Sequence, residues 1–436
     1  MNVLLIAIDT LRRDHMSCYG YPRLTTPHID RLAAGGVQFM DSFSPFIPTH
    51  PGFTTLFTGV DVMEHQIVTQ GGKLDLDPAI PMLAEVLQAS GYRTGAADNL
   101  RRWFSRGFDR YEGYSFLGPV DRPWRKAEAV NEKALALLRD LAGEPFFLFV
   151  HYWDPHTPYL PPPPFDRMFY AGNESDPANK SMEKIFDWPA FREYFEQWMG
   201  HVTDVDYVIA AYDAEIAYAD AAVAQLLTAL DESGQADETL VVLTSDHGEI
   251  LDEHPGYYDH HGLYDANLAV PLIMRLPGTL PSGLRVRGTV TLQDVSPTIL
   301  DILGVAPDVP MTGRSLLAAA TGRSRIAADE LLLTECTWER KRGIRRHGWK
   351  LIEALEPDPH GGPDVELYDL RSDPAEQRNL ARQRPEVVSD LRSRLHRAVA
   401  RRLRQTEKPD PIEVQGITLR RIGEIATAVP DNQKLG

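Results

Sequence analysis

The chain has 436 residues, which exceeds one average domain and favours a large core with a smaller second unit. Hydrophobic residues make up 43% of the chain and charged residues 25%, which is typical of a folded globular protein and excludes a disordered or fibrous one. The 45 Lys and Arg residues are outnumbered by 62 Asp and Glu residues, so the net charge is −17. This sign disfavours binding to the phosphate backbone of long nucleic acids, and a nucleic-acid polymer is not an expected partner.

The cysteines and the apolar runs bear on the cellular compartment. Cys18 and Cys336 are far apart, which argues against a disulfide framework and favours a reducing compartment. The first apolar run, 3–8, has no basic leader and is too short for a membrane helix, and no later run approaches the roughly 20 residues that such a helix needs. We therefore predict a cytoplasmic protein without a membrane partner.

Strand and helix patterns alternate along the chain. Short apolar runs typical of buried parallel strands lie at 3–8, 146–150, 239–244 and 270–274. Apolar residues at helical spacing lie at 80–89, 127–142, 205–230 and 295–303. This alternation predicts an α/β fold, in which helices cover both faces of a mostly parallel sheet.

The pattern changes after about residue 325. Short strand-like pieces at 331–334, 348–353 and 366–370 precede a predicted helix at 385–404. We predict three regions, which are a catalytic α/β domain over 1–325, a smaller α+β subdomain over 326–404 and a charged tail over 405–436. The tail wraps the body, reaches a neighbouring subunit of a homo-oligomer, or stays partly mobile.

Candidate metal ligands follow three of the predicted strands. Asp9 ends the first strand, Asp154 and His156 follow the second, and Asp246 and His247 follow the third. Ligands of an open α/β sheet bind at the carboxyl ends of its strands, so these side chains are expected to lie together. Carboxylate and imidazole groups suit Zn²⁺ or Mn²⁺. An Asp-His-Gly tripeptide alone is more typical of a turn, so the metal interpretation depends on the surrounding pattern.

Eight short blocks extend this pattern over nearly the whole chain. They read IDTLRRDH (8–15), TPHIDRLA (26–33), TLFTG (55–59), GYRTG (91–95), DPHTPY (154–159), SDHGE (245–249), VPLI (270–273) and ELYDL (366–370). In this order they resemble the sulfatase family of the alkaline phosphatase superfamily. The resemblance implies an alkaline-phosphatase-like fold, a hydrolase activity and a divalent metal ion bound by Asp9, Asp246 and His247.

The chain departs from this family at the nucleophile. Sulfatases have Cys or Ser, any residue, Pro, any residue and Arg, and the first residue is oxidised to formylglycine; this chain has Thr49, His50, Pro51, Gly52 and Phe53. Threonine is a secondary alcohol and cannot give the formylglycine aldehyde. The block resembles instead the Thr-any-Pro arrangement of nucleotide pyrophosphatases/phosphodiesterases, which implies that Thr49 binds the metal and attacks directly. The alternative is that Thr49 only caps a helix that starts near Pro51.

The number of metal ions stays open at this point. Asp154, His156 and His261 resemble an Asp/His/His second metal site, whereas in sulfatases the His of the Pro-His-any-Pro block contacts the anion or leaving group without binding metal. On either alternative, His156 and His261 are predicted to be catalytic. Thr10 stands where many sulfatases have a second ligand Asp, which is closer to phosphonate monoester hydrolases and makes Ca²⁺ less expected than Zn²⁺ or Mn²⁺.

The resemblance also predicts contacts with a small anionic ester substrate. Asn99 and His260 take positions that face the anion in the family. The favoured hypothesis is hydrolysis of phosphodiesters or phosphonate monoesters with Thr49 as nucleophile. The alternatives are a sulfatase that works without formylglycine and a catalytically silent binding protein.

Overall fold

The computed structural model describes residues 1–114, 126–187, 189–327, 330–358 and 361–417, without the side chains of 189–191. Within these ranges the strands form two sheets. Their bounds are β1 Asn2–Ile8, β2 Val37–Phe43, β3 Phe46–Ile47, β4 Arg93–Ala97, β5 Arg110–Glu112, β6 Phe146–Tyr152, β7 Thr239–Thr244, β8 Leu272–Arg275, β9 Leu284–Thr291, β10 Leu331–Glu335, β11 Lys341–Arg346, β12 Trp349–Ala354 and β13 Val365–Asp369.

The larger sheet has eight strands in the order β5-β4-β6-β1-β7-β8-β2-β9. Strand β8 is antiparallel to both of its neighbours, and every other pair in this sheet is parallel. Strands β4, β6, β1 and β7 are thus consecutive and parallel, so the residues that follow them meet at one edge of the sheet. The mostly parallel α/β sheet predicted from the sequence is confirmed.

The helices cover both faces of this sheet. Their bounds are α1 Pro27–Ala34, α2 Thr49–Thr58, α3 Val62–His65, α4 Leu83–Ala89, α5 Lys126–Leu141, α6 Glu183–Phe186, α7 Pro189–Met199, α8 Val205–Glu232, α9 Asp265–Leu268, α10 Val295–Leu303, α11 Leu317–Ala320, α12 Pro385–Thr406 and α13 Pro411–Val414. In the described part of the chain, no helix has both the length and the apolar character needed to cross a membrane.

Strand β1 shows how the two apolar layers arise. Its residues alternate, so that Leu4, Ile6 and Ile8 join the core formed with α5 and α8, while Val3, Leu5 and Ala7 join the core formed with α2 and α10. All seven residues of the strand are buried. A parallel strand covered on both faces is largely apolar, which explains the continuous hydrophobic run at 3–8.

Two predicted elements begin later than the sequence pattern suggested, and proline accounts for both. The helix predicted at 80–89 begins at Leu83, because Pro81 disfavours a helical conformation for Ile80, and the extended Met82 before the helix donates its N–H to Glu85 Oε2 at 2.9 Å. The strand predicted at 270–274 begins at Leu272, because Pro271 has no backbone N–H to donate to a neighbouring strand.

The smaller sheet has the order β13-β12-β11-β10-β3. It therefore includes Phe46–Ile47, which comes from the first part of the chain and pairs in parallel with β10. Helix α12 packs on this sheet through Leu391, Leu395 and Val399. Part of the predicted tail is described, since α13 is held by an ion pair between Arg342 and Asp410 at 2.6 Å. Residues 418–436 of that tail lie outside the described residues.

Candidate active site

Three buried side chains meet where β1 and β7 end. Asp9 directly follows β1, and Asp246 and His247 follow β7 after one intervening residue. One ligand atom from each lies within 4.8 Å of the others, and all three residues are fully buried. Among the residues that the structure describes, neither carboxylate oxygen of Asp9 nor Oδ2 of Asp246 has a hydrogen-bond partner. Buried carboxylates are rarely left unpartnered, so this donor set fits a divalent cation.

The electrostatics of the two carboxylates support the same interpretation. Burial and the neighbouring charge of Asp9 raise the pKa of Asp246 well above its usual value. Burial alone would also raise the pKa of Asp9, but contacts with His151 and other histidines lower it to about 2. Two adjacent carboxylates repel each other in a buried site, and a cation between them would remove that repulsion.

The orientation of His247 leaves one ring nitrogen available. Its Nδ1 lies 2.8 Å from the carbonyl oxygen of Gly248, so Nδ1 carries the proton and Nε2 carries a lone pair. Nε2 lies 3.3 Å from Asp246 Oδ2 and 3.1 Å from Thr49 Oγ1. Burial lowers the pKa of His247 to about 3, which keeps the ring neutral. A neutral imidazole is the form that binds metal ions.

We call Asp9, Asp246 and His247 the metal-type cluster. Thr49 is the first residue of α2, so its hydroxyl and the N-terminal amides of that helix lie beside this cluster. Pro48, and not Thr49, therefore occupies the N-cap position, and the Thr49 hydroxyl contacts His247. The helix approaches closely because Gly52 has no side chain. A Cβ atom at Gly52 would lie 2.7 Å from the carbonyl oxygen of Asp246.

His260 lies over the cluster. Its ring centroid is 4.7 Å from that of His247 and 5.0 Å from that of His156. Its Nδ1 lies 3.1 Å from Asp259 Oδ1 and 3.5 Å from Glu249 Oε1. Burial opposes its charge, but these two carboxylates raise the pKa of His260 to about 10. The two carboxylates thus favour the protonated form of His260, which suits a contact with an anionic group.

His156 occupies the same side of the site but differs in charge. Its Nδ1 lies 2.8 Å from the carbonyl oxygen of Thr157, and its ring stacks on Trp153 at 4.3 Å between centroids. Burial lowers the pKa of His156 to about 4, so the ring is neutral near pH 7.

Asp154 does not join the metal-type cluster. Its Oδ1 lies 2.9 Å from the Lys126 ammonium, which is also 3.8 Å from Glu215 Oε2. Lys126 comes from α5 and Glu215 from α8, and both are buried. The carboxylate is neutralised by a cation of the chain itself, which removes the reason for it to bind a metal ion.

His261 is also directed away from the cluster. Its Nε2 lies 3.0 Å from Asp259 Oδ2 and its Nδ1 3.8 Å from Glu335 Oε1. Its ring packs on Trp338 at 4.4 Å between centroids. Within the described residues, Asp154, His156 and His261 therefore do not assemble the predicted second metal site, because two of the three are engaged by charged groups elsewhere.

Asn99 follows β4 at the same edge of the sheet. Both polar atoms of its side-chain amide are buried and have no hydrogen-bond partner in the described part of the chain. Its predicted contact with the substrate anion stays a prediction.

Four residues around the site are absent from the predicted set of catalytic, metal and substrate residues. Asp98 and His151 form a chain of contacts to Asp9, while Glu249 and Asp259 flank His260. Glu249, Asp259 and His260 form a second group of ligand type, but this group already contains a cation in His260. Both residues lie at strand ends, since His151 belongs to β6, which neighbours β1, and Asp98 follows β4, which neighbours β6.

The fold and this site together define a hydrolase of the alkaline phosphatase superfamily. Residues 1–305 match the sulfatase family, and residues 252–404 match the C-terminal region of N-sulphoglucosamine sulphohydrolase. The chain belongs to the sulfatase family.

The names of similar proteins include a phosphonate monoester hydrolase and arylsulfatases. The chain is 28% identical over 399 residues to the multifunctional alkaline phosphatase superfamily protein PehA of Trinickia caryophylli, and the alignment covers 72% of this chain and 76% of that protein. It is 25% identical over 452 residues to arylsulfatase K of Homo sapiens, with 91% and 81% covered. The crystal structure of phosphonate monoester hydrolase from Agrobacterium radiobacter superposes with a TM-score of 0.75 at 23% identity, covering 92% of this chain and 96% of that one.

Proposed function

We propose that the protein hydrolyses small anionic phosphate esters, most specifically phosphodiesters or phosphonate monoesters, with Thr49 as the nucleophile. The observation that carries this proposal is the position of the Thr49 hydroxyl. It lies at the start of α2, 3.1 Å from His247 Nε2 and beside the carboxylates of Asp9 and Asp246, whose oxygens, apart from Asp246 Oδ1, have no hydrogen-bond partner among the described residues. An ester bound beside these carboxylates would be within reach of the Thr49 hydroxyl.

The residues at the site suit a divalent cation of borderline character. Asp9, Asp246 and His247 would hold it, with the Thr49 hydroxyl as a fourth ligand, and two oxygens with one nitrogen favour Zn²⁺ or Mn²⁺ over Ca²⁺. Such a cation would withdraw charge from the hydroxyl and from the ester oxygens.

The reaction proceeds in two displacements. Thr49 Oγ1 forms a bond to phosphorus as the bond to the leaving alcohol breaks, and the Thr49 proton passes to solvent water. Water then attacks the phosphorus of the phosphothreonine and gives one proton to His260, which lost its proton to the leaving alcohol. The P–Oγ1 bond breaks, Thr49 Oγ1 takes a proton from solvent, and the phosphate or phosphonate product leaves. The N-terminal amides of α2 favour negative charge on the phosphoryl oxygens throughout.

The histidines above the cluster have separate roles. His260 is held as a cation by Asp259 and Glu249, so it binds the anionic ester and donates a proton to the leaving oxygen. His156 is neutral and lies next to His260, where it positions the ester by hydrogen bonding. Asn99 completes the contacts through its unpartnered amide. His261 contacts Asp259, which also contacts His260, so His261 contributes only by holding Asp259 in place.

The second candidate is hydrolysis of sulfate esters by the same threonine. It is favoured by the match of residues 252–404 to a sulphohydrolase C-terminal region and by the likeness to arylsulfatase K. Sulfate monoesters carry one negative charge, as phosphodiesters do, so one set of cationic contacts accepts both.

The test is a panel of nitrophenyl esters with metal-reconstituted protein. We expect the phosphodiester and the phosphonate monoester to exceed the phosphomonoester and the sulfate in kcat/KM. Thr49→Ala should lower the favoured activity by about a thousandfold or more, whereas Thr49→Ser, which keeps a hydroxyl, should retain part of it. Unchanged phosphodiester turnover in Thr49→Ala would exclude the nucleophile, and preference for sulfate would select the second candidate.

A further inference from the structure

His151 lies between two carboxylates at the ends of three adjacent strands. Its Nδ1 is 2.8 Å from Oδ1 of Asp98, which follows β4, and its Nε2 is 3.3 Å from Oδ2 of Asp9, which follows β1. His151 itself belongs to β6, the strand between them. All three residues are fully buried. A row of carboxylate, imidazole and carboxylate therefore ends on a proposed metal ligand.

The histidine ring is fixed from several sides. The Tyr111 hydroxyl donates a hydrogen bond to Asp98 Oδ2, and the Tyr114 hydroxyl donates one of 2.7 Å to the backbone carbonyl of His151. The Phe53 ring packs edge-on against the imidazole at 4.8 Å between centroids. Phe53 belongs to α2, so His151 contacts both the carboxylate of the cluster and the helix that begins with the nucleophile.

Asp9 has few other restraints. Neither of its carboxylate oxygens has a hydrogen-bond partner, and its ion-pair contacts among the described residues are with His151 at 3.3 Å and His247 at 3.9 Å. Because His247 belongs to the cluster itself, His151 is the contact that orients the carboxylate from outside the cluster.

We propose that His151, held by Asp98, is a positioning residue that orients the Asp9 carboxylate toward a divalent cation. This inference rests on the metal site of the proposed function. Groups that orient metal ligands typically change metal affinity by about 10- to 100-fold when they are replaced. The effect should therefore appear in metal binding itself, before any turnover is measured.

The experiment titrates metal-free full-length protein with Mn²⁺ and follows the free ion by electron paramagnetic resonance. We expect about 10- to 100-fold weaker binding in His151→Gln and a smaller loss, about threefold to tenfold, in Asp98→Asn. The bound-ion spectrum of Asp98→Asn should also differ from that of wild type. The matched control is His65→Gln, a buried histidine that contacts the far part of α2 through Thr55 at 3.0 Å and should leave Mn²⁺ binding unchanged.

The outcomes separate this inference from the function on which it rests. Wild-type Mn²⁺ affinity in His151→Gln would overturn the positioning role, and weak binding in His151→Gln with a wild-type spectrum and affinity in Asp98→Asn would overturn the part given to Asp98. If His151→Gln does not fold by circular dichroism, Asp98→Asn decides alone. A wild-type protein that binds neither Mn²⁺ nor Zn²⁺ would instead remove the metal site of the proposed function.

Discussion

Asp9 and Asp154 follow adjacent strands of one sheet, yet their surroundings differ. In the described part of the chain the carboxylate oxygens of Asp9 have no hydrogen-bond partner and lie near Asp246 and His247, whereas Asp154 Oδ1 lies 2.9 Å from the buried ammonium of Lys126. Position at the end of a strand therefore does not by itself give an aspartate a metal-type environment. The two carboxylates differ in their cationic partners: the lysine ammonium contacts Asp154 closely, whereas the histidines near Asp9 lie at 3.3 and 3.9 Å.

The largest expected effect comes from removing a carboxylate on the metal side of this comparison. Asp246→Ala should lower bound metal to a small fraction of the wild-type content and reduce kcat/KM by about a thousandfold or more, because the site loses one of its charged ligands. Elemental analysis after dialysis measures the first effect and the ester panel the second. Full wild-type metal content in this variant would contradict the assignment of Asp246.

The next largest effect concerns Asp154, whose negative charge is balanced by Lys126. Lys126→Met should lower the free energy of unfolding by about 3–5 kcal/mol, because it leaves Asp154 and Glu215 buried without their cation. The loss should be larger at pH 8 than at pH 5. Burial raises the pKa of Asp154, and it raises the pKa of Glu215 to about 8, so protonation at pH 5 removes negative charge that Lys126 no longer balances. Urea unfolding at both pH values measures it.

Metal content is the control for that variant. If Asp154 is not a ligand, Lys126→Met should keep the wild-type amount of metal in its folded state. A gain of one ion per chain would show that Lys126 only displaces a cation from Asp154, and a loss would show that Asp154 supports the cluster.

The smallest expected effect concerns a third kind of buried carboxylate. Asp220 is satisfied by backbone N–H groups, accepting from Ile29 at 2.8 Å and His28 at 3.1 Å at the start of α1. Burial nevertheless raises the pKa of Asp220 to about 7. The folded protein then holds a proton that the unfolded chain releases near pH 4, so this residue makes stability fall as the pH rises from about 4 to about 7.

Asp220→Asn should remove that dependence. The difference in the free energy of unfolding between pH 5 and pH 8 should change by about 2 kcal/mol relative to wild type, with the variant less affected at high pH. Denaturant unfolding at both pH values measures the difference. Parallel pH profiles of the two proteins would show that Asp220 is ionised throughout.

Local sequence patterns determined much of the architecture. The continuous apolar run at 3–8 predicted β1 because a strand covered on both faces is largely apolar, and 295–303 predicted α10 with its observed bounds. Strands β2, β4 and β9 were not predicted as such, because their mixed composition gives no clear period. Proximity of Asp9 to Asp246 and His247 followed from topology, since parallel strands end at one edge.

Only the tertiary structure decided which charges meet. The adjacent residues His260 and His261 both contact Asp259, but the ring of His260 stacks on His247 whereas that of His261 packs on Trp338, and no sequence period specifies that choice in a loop. Lys126 reaches Asp154 from a helix on one face of the sheet. The sequence alone thus determined which residues lie at the carboxyl edge of the sheet, because each of them follows a predicted parallel strand. Their partners depend on side-chain distances of a few ångströms across separate elements, which periodicity and spacing do not encode.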